Sequence, residues 1–319
     1  MQTLLLTGGT GFIGQALIKR LLRDDCYQPV VAMRRSSVDV PPGTLSVQVS
    51  ELSENTDWSA ALVGAKVVIH AAARAHVLNE IADDPLAEFR VVNVSGTWAL
   101  AQQAAQAGVK RFIFISSIGV NGNQSEHPFT VDDLPNPTEP YAVSKYEAEL
   151  VLTQLSAKTG MEVVIIRPPL VYGPNAPGNF GRLIKAVNKG LPLPLGAIRN
   201  QRSLVALDNL VDLIVTCIDH PAAANQTFLV SDGEDLSTTE LFRRMAAALG
   251  KPARLLPVPS RLLEMAAALL GKQALSQRLC GSLQVDIGKT RELLDWTPPV
   301  SVDEALRKTA KYFLEQQSK

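Results

Sequence analysis

The sequence feature that most constrains the fold is a glycine-rich segment after the first apolar run of the chain. This run, residues 3–7, is predicted to be a buried strand. Gly8, Gly11 and Gly14 then match G-x-x-G-x-x-G, with Gly9 completing an overlapping G-x-G-x-x-G, and apolar residues at helical spacing follow. A strand, a glycine turn and a helix in this order are typical of a unit whose backbone amides bind a dinucleotide pyrophosphate. The candidate contacts are Gly8, Gly11, Phe12, Ile13 and Gly14.

The apolar runs that follow alternate with helical patterns. Strands are predicted at residues 29–33, 45–49, 67–73, 111–115 and 162–166, and helices at 85–107 and 140–158. This alternation implies a parallel sheet covered on both faces. From about residue 175 proline and glycine become frequent and strands become short. We therefore predict an α/β protein with a Rossmann-like, doubly wound parallel sheet in residues 1–174. A smaller, discontinuous α/β substrate domain occupies most of 175–319, and a segment of about 203–225 returns to the first domain.

In such sheets ligands bind at the carboxyl ends of the strands. Arg34 and Arg35 end the second strand, and no acidic residue stands there. Arginine suits the 2′-phosphate of NADP, whereas an acidic residue suits the free ribose of NAD. The sequence therefore favours NADPH as cofactor and leaves NAD possible. The further candidate cofactor contacts are Glu51 and Leu52 after the third strand and Ala71, Ala72 and Ala73 at the end of the fourth.

A phenol and an ammonium group four residues apart mark the second long helix. Pro140 suits its first position, so Tyr141 lies in the first turn and Lys145 lies one turn later on the same face. The lysine charge and the helix N-terminus both favour the phenolate, and we expect them to lower the pKa of Tyr141. Ser116 and Ser117 follow the fifth strand, where a hydroxyl can bond a substrate oxygen. These residues predict a proton-transfer site for a carbonyl or an alcohol.

Other polar residues have simpler explanations. His70 lies among apolar residues of the fourth strand, and we expect it to be packed or bonded to backbone. His76 lies just beyond that strand, so it is a candidate substrate contact and equally a surface residue. Asn93 lies within the first long helix, where a structural hydrogen bond is its expected role. The sequence holds no cluster of metal ligands, and we predict no metal site.

Composition argues against several other functions. The chain has 31 Lys and Arg and 31 Asp and Glu, and no basic block stands out, which argues against nucleic acid and against an anionic membrane surface. Cys26, Cys217 and Cys280 are odd in number and far apart, so free thiols in a reducing cytosol are expected. No apolar segment is long enough to span a bilayer, and the N-terminus lacks a signal-peptide pattern. We expect a cytoplasmic protein that is not inserted in a membrane.

Several segments together resemble one family, the extended short-chain dehydrogenase/reductases that act on nucleotide sugars. They are T-G-G-T-G-F-I-G at 7–14, H-A-A-A at 70–73, N-V-S-G-T at 93–97, S-S at 116–117, Y-A-V-S-K at 141–145, R-P at 167–168, V-Y-G-P at 171–174, R-S-L-V-A-L-D-N-L at 202–210 and L-L-D-W-T-P at 293–298. The resemblance spans nearly the whole chain. It implies an NAD(P)-dependent enzyme with a UDP-sugar substrate.

The resemblance also implies roles for the matching residues. In this family the residue at Tyr141 is the general acid/base, and the residue at Lys145 holds the cofactor ribose and lowers the tyrosine pKa. The position of Ser117 binds the same substrate oxygen, with Ser116 as the alternative. Pro168 lies in the R-P segment and is a further expected cofactor contact.

The substrate's nucleoside diphosphate is contacted in the family by residues of the second half of the chain. Asn179 and Arg202 match these positions, and Arg278 is a further candidate shortly before the D-x-x-K segment at 286–289. Family members often dimerise through two long helices, here 85–107 and 140–158, so a homodimer is possible.

Departures from the family pattern indicate the reaction. Ile118 and Gly119 follow Ser117, where sugar dehydratases carry an Asp-Glu pair, which argues against dehydration. Residues 120–122 are V-N-G instead of the V-Y-G of many epimerases, and Arg34 and Arg35 replace the acidic residue that epimerases usually have. The whole pattern is most similar to bacterial reductases of UDP-4-keto-6-deoxy-N-acetylhexosamines in O-antigen synthesis, and predicts NADPH-dependent reduction of a C4 ketone.

Three alternatives remain open at this stage. The first is a C4 epimerase of UDP-hexoses or UDP-N-acetylhexosamines with tightly bound NAD. The others are a reductase of hydrophobic ketones and a non-catalytic dinucleotide-binding module.

Overall fold

The computed structural model describes residues 1–35, 40–75, 84–271 and 273–317. Its strands are β1 Gln2–Thr7, β2 Tyr27–Met33, β3 Leu45–Gln48, β4 Val67–His70, β5 Arg111–Ile115, β6 Glu162–Arg167, β7 Leu170–Tyr172, β8 Arg202–Ala206, β9 Thr227–Leu229 and β10 Asp235–Leu236. Seven of them form a parallel sheet in the order β3-β2-β1-β4-β5-β6-β9. The predicted doubly wound parallel sheet is confirmed. The strand order reverses between β1 and β4, and the crevice at such a switch point is where these sheets bind ligands.

Helices cover both faces of this sheet. They are α1 Phe12–Asp24, α2 Pro85–Arg90, α3 Gly96–Gln106, α4 Pro140–Thr159, α5 Asn179–Asn188, α6 Leu207–Asp219, α7 Thr238–Ala248, α8 Ser260–Leu269, α9 Gln273–Cys280, α10 Gly288–Leu294 and α11 Val302–Gln317. Side chains alternate along β1, so Leu4 and Leu6 join one apolar cluster with Leu17 of α1, while Leu5 joins a second cluster with Leu152 of α4. These two buried layers hold the strand ends in place.

The first long helix is interrupted. One helix was expected over 85–107, but α2 and α3 are separated by a π-helical turn, Val91–Ser95, that contains Asn93. Such turns widen the helix by one residue and often occur at functional sites. Here the widened turn places the buried Asn93 amide between the end of β4 and helix α4, as described below.

The second half of the chain builds a smaller unit. Strands β10, β8 and β7 form a three-stranded sheet, and a third apolar cluster packs α5, α7 and α11 together. Helix α6 packs against α1, and β9 pairs with β6 of the large sheet. The assignment of residues to two domains with a boundary at 174 stays a prediction.

The described ranges lack two features, a membrane-spanning helix and a cluster of metal ligands. Across residues 1–35, 40–75, 84–271 and 273–317, no helix is long and apolar enough to cross a bilayer. In the same part of the chain, no group of three or more His, Cys, Asp or Glu side chains is arranged to hold a metal ion.

Candidate active site

The glycine turn after β1 packs directly on the chain that leaves β4. Gly8 has φ +73°, and a Cβ there would lie 2.7 Å from the carbonyl carbon of Ala71 and the nitrogen of Ala72. A Cβ at Gly14 would lie 2.1 Å from the Gly8 carbonyl oxygen. Helix α1 begins after Gly11, which has no side chain to bond the amides of the first turn. The turn is therefore a backbone cradle at a helix N-terminus, and it fits the pyrophosphate of a dinucleotide.

The ends of β2 and β3 form a cleft beside this cradle. Arg34 and Arg35 are exposed there, and Gln48, Val49, Ser50 and Glu51 complete its lining. The cleft thus contains two arginines that suit a 2′-phosphate and one glutamate that suits a ribose hydroxyl. Leu52 packs against the start of α3, since a Cβ at Gly96 would lie 2.6 Å from its Cγ.

Tyr141 and Lys145 lie in the first two turns of α4. Pro140 is the first helical residue, as predicted, and the Tyr141 ring meets the Phe89 ring edge-on at 6.0 Å. Lys145 is buried, and its Nζ lies 4.0 Å from the centre of the Phe114 ring. This contact supports the ammonium group where water is excluded.

Burial controls the titration of both groups. It raises the pKa of Tyr141 to about 12. Burial lowers the pKa of Lys145 to about 7, and the charge of Glu149 opposes that shift. The expected lowering of the Tyr141 pKa is therefore outweighed, because burial disfavours the phenolate and reduces the charge on the lysine that was to stabilise it.

Ser117 lies beside this helix. It precedes the short 3₁₀ turn Ile118–Val120, and its Oγ accepts a 3.1 Å hydrogen bond from the Gly119 amide. A Cβ at Gly119 would lie 3.3 Å from Ser117 Oγ and 3.1 Å from the Cβ of Ala142. The loop after β5 therefore approaches the first turn of α4 closely. The Pro168 carbonyl supports the same loop, accepting a 3.0 Å bond from the Ile118 amide.

Ser116, directly before Ser117, bonds a buried carboxylate. Its side chain is buried, and its Oγ donates a 2.5 Å hydrogen bond to Glu149, one turn beyond Lys145. The same carboxylate is held by Nε and Nη2 of Arg167, at 3.0 and 2.5 Å, and Arg167 also bonds Asn121. Ser116 thus belongs to a buried network under the site, and its hydroxyl proton is directed at the Glu149 carboxylate, so a substrate contact of Ser116 stays a prediction. We call Ser116, Asn121, Glu149 and Arg167 the buried polar network.

His70 and Asn93 hold neighbouring segments together. The His70 ring bonds Thr7 at 2.6 Å and Thr97 at 2.9 Å, as expected for a packed histidine. Burial, followed by the charge of Lys145, lowers its pKa to about 3. Asn93 accepts from the Arg74 amide at 2.8 Å and donates to Ser144 Oγ at 3.0 Å, which ties the end of β4 to α4.

Two of the predicted diphosphate contacts, Arg202 and Arg278, lie together near the N-terminus of α4. Arg202 begins β8, and its Nη1 donates to the carbonyl oxygens of Arg278 and Gly281 at 3.1 and 3.0 Å. Arg278 donates a 3.0 Å bond to Glu139, two residues before Tyr141. Burial, followed by the charge of Arg278, lowers the pKa of Arg202.

Two further residues, Asn179 and His76, are predicted substrate contacts. Asn179 is the first residue of α5, and His76 lies outside the described residues. Glu139 and Glu149 were not singled out from the sequence, because their partners are distant along the chain and no local pattern indicates them.

Known proteins resemble this chain along its whole length. Residues 4–231 match the model described as the NAD dependent epimerase/dehydratase family. A protein of Vibrio cholerae named UDP-glucose 4-epimerase is 49% identical over 317 residues, which cover 98% of this chain and 96% of the relative.

Solved structures share the fold at lower identity. UDP-glucose 4-epimerase from Thermotoga maritima, solved with UDP-glucose, is 23% identical with a TM-score of 0.79, covering 99% of this chain and 100% of the other. UDP-glucuronic acid 4-epimerase from Bacillus cereus, solved with NAD, is 23% identical with a TM-score of 0.81, covering 100% of both chains.

Proposed function

The chain is an enzyme of the NAD dependent epimerase/dehydratase family, and we propose that it inverts C4 of a UDP-linked hexose or N-acetylhexosamine. The sequence alone favours net reduction at C4. The name of the Vibrio cholerae relative supports epimerisation instead. The structural observation that carries the proposal is the close approach at Gly119, which puts Ser117 Oγ beside the first turn of the Tyr141 helix.

Each residue of the site has one task. A nicotinamide dinucleotide whose pyrophosphate is held at the glycine cradle would supply the hydride chemistry at C4. Tyr141 Oη takes the proton of the C4 hydroxyl and returns it, and Ser117 Oγ hydrogen-bonds the same oxygen. Lys145 holds the cofactor ribose, and its position over Phe114 keeps its ammonium group against the site.

The diphosphate of the substrate is assigned to the basic groups near Glu139. Arg202 and Arg278 lie there together, and Asn179 at the start of α5 is a further proposed contact. Binding of the diphosphate away from C4 holds the sugar in place for hydride transfer.

Reduction of a 4-keto sugar with NADPH is the second candidate. It is favoured by Arg34 and Arg35, which lie exposed in the cleft where a 2′-phosphate would bind. In that case the product would serve surface polysaccharide synthesis, and cofactor would exchange at every turnover. Glu51 in the same cleft suits the NAD of an epimerase.

Dehydration is disfavoured by the same loop. An acidic pair would have to replace Ile118, which is buried, and Gly119, which leaves 3.1 Å between its Cβ position and Ala142. Neither residue of this chain carries the carboxylate that an elimination would need.

We further propose a cytoplasmic location and assembly as a homodimer. The three free thiols agree with a cytoplasmic protein. Val91 beside α2 and Leu150 on α4 are exposed apolar residues on the two long helices, and they agree with a homodimer formed there.

The test measures released nucleotide and epimerisation together. The purified protein is denatured, the released dinucleotide is identified, and UDP-glucose and UDP-N-acetylglucosamine are then offered to native protein without added cofactor. Stoichiometric NAD and a C4-inverted product are expected. Absence of inversion, with oxidation of NADPH by a 4-keto sugar made in place by a 4,6-dehydratase, would reject the epimerase in favour of the reductase.

A further inference from the structure

Helix α8 presents apolar side chains to solvent. Leu262, Met265 and Leu269 follow one another at three and four residues, and so lie on one face. Met265 is 63% exposed and Leu269 is 88% exposed, and Leu270, directly after the helix, is 70% exposed. Leu256, in the segment that leads into α8, is also exposed. We call these five residues the α8 apolar face. Soluble proteins rarely leave such a group uncovered unless it binds something.

The opposite side of α8 is only weakly buried. Leu263 packs against the third apolar cluster, and no residue of the helix is fully buried. Arg261 and Glu264 are the charged residues of the helix. A surface helix normally has one apolar face, which packs on the core. Here a second apolar face points away from it.

Positive charge is concentrated beside this face. Residues 173–207 and 251–285 together contain ten Lys and Arg but one acidic residue, Glu264, in a chain whose net charge is zero. The fold joins the two segments: Leu193 pairs with Leu255, and the Leu193 amide donates to the Arg254 carbonyl at 2.9 Å. The exposed basic residues of the joined segments are Arg182, Lys185, Lys189, Arg199, Lys251, Arg254, Arg261 and Arg278.

We propose that the α8 apolar face and these basic residues dock the enzyme on an anionic phospholipid surface. The helix would lie in the plane of the headgroups, with its apolar side chains entering the acyl boundary and the basic side chains meeting the lipid charge. The net charge of the whole chain is zero, which by itself argues against an anionic surface. The fold brings two basic segments together, and their combined local charge is positive.

A second copy of the chain fits this face less well. A two-fold dimer through α8 would bring the same basic surface of both copies together, and like charges would repel. A bilayer with anionic lipid supplies the complementary charge and accepts the apolar side chains at the same time.

The α8 apolar face is centred on a helix that is linked to the proposed active site. Helix α9 packs against α8, and Arg278 of α9 bonds Glu139 at the start of the Tyr141 helix. Adsorption would therefore hold the substrate side of the protein near the lipid surface.

The experiment is co-sedimentation of the full chain with sucrose-loaded vesicles at low salt. Phosphatidylcholine vesicles with and without 30% phosphatidylglycerol are compared, and binding only to the anionic vesicles is expected, weakening as salt is added (~8–10 Å screening length at physiological ionic strength). The double variant Met265→Glu, Leu269→Glu should lower the bound fraction about tenfold or more. Lys185→Glu with Lys189→Glu should also lower it.

Matched controls separate docking from folding. Leu134→Glu changes a leucine that is as exposed as Leu269 but lies in the loop before α4, and it should leave vesicle binding unchanged. Thermal unfolding and turnover of a water-soluble UDP-sugar should match the wild type in all variants. Wild-type protein that stays in the supernatant, or α8 variants that sediment like the wild type, would overturn the proposal. The proposal would also be overturned if the wild type were a dimer that did not bind vesicles and the α8 substitutions made it monomeric. A second copy of the chain would then cover the α8 apolar face.

Discussion

Helices α4 and α8 both depart from the usual distribution of side chains, in opposite directions. Helix α4 carries the charged Lys145 and Glu149 into the interior, whereas α8 carries Leu262, Met265 and Leu269 out to solvent. On α4 the buried charges have partners within the chain: the Phe114 ring for the lysine and Arg167 for the glutamate. For the α8 apolar face, the described part of the chain supplies no cover. A departure that the chain compensates internally marks the proposed catalytic site, and one left uncompensated marks a contact with something outside.

The largest expected effect comes from removing the acid/base on α4. Tyr141→Phe should lower kcat by about 10²–10⁴-fold, because the proton of the C4 hydroxyl loses its acceptor and donor. Steady-state kinetics and UDP-sugar binding measure this together. Tyr146→Phe, on the same helix, is the control and should behave like the wild type. Near-normal kcat in Tyr141→Phe with unchanged binding would show that another group moves the proton.

The buried polar network should give the next largest effect, in stability. Glu149→Ala leaves Arg167 buried without its carboxylate and should lower the free energy of unfolding by about 3–5 kcal/mol. The matched control is Glu147→Ala on the same helix, whose partner Arg90 is 49% exposed, and this change should cost less than about 1 kcal/mol. Urea denaturation of both variants measures the difference. Equal losses would mean that burial does not distinguish the two ion pairs.

His70 should make the free energy of unfolding depend on pH. Its folded-state pKa is lowered to about 3 from an ordinary value of 6.5. Below pH 6.5 the unfolded chain therefore binds a proton that the folded chain does not. Stability should fall as pH decreases from 6.5 towards 3, by about 1.4 kcal/mol per unit for this group.

The measurement is urea denaturation at several pH values between 6.5 and 4. His70→Gln should remove this part of the slope, while His127→Gln, an exposed histidine, should keep it. A wild-type slope that survives in His70→Gln would assign the acid sensitivity to other groups.

The sequence predicted those features that depend on local spacing. The Tyr141 and Lys145 pair, the Gly8 to Gly14 turn and the parallel sheet follow from helix and strand periods, and the structure has each of them. The partners of Glu149 are separated from it by 18 and 33 residues, and Arg278 meets Glu139 across 139 residues. Pairing at such distances depends on the finished packing, which no local period encodes. For the same reason the sequence could not show that the Ser116 hydroxyl donates to Glu149, whereas Ser117 Oγ accepts from the Gly119 amide.

The exposure of α8 could not be predicted from a local pattern either, because an apolar segment has the same sequence whether it is buried or exposed to solvent. This gives the smallest expected effect. Met265→Ser and Leu269→Ser should each change the free energy of unfolding by no more than about 0.5 kcal/mol, because both side chains are already in water in the folded state. Leu152→Ala on α4, a fully buried leucine, should cost about 2–5 kcal/mol in the same urea titration. If the α8 substitutions cost as much as the α4 substitution, the α8 face is covered within the folded protein in solution, and the contrast between the two helices disappears.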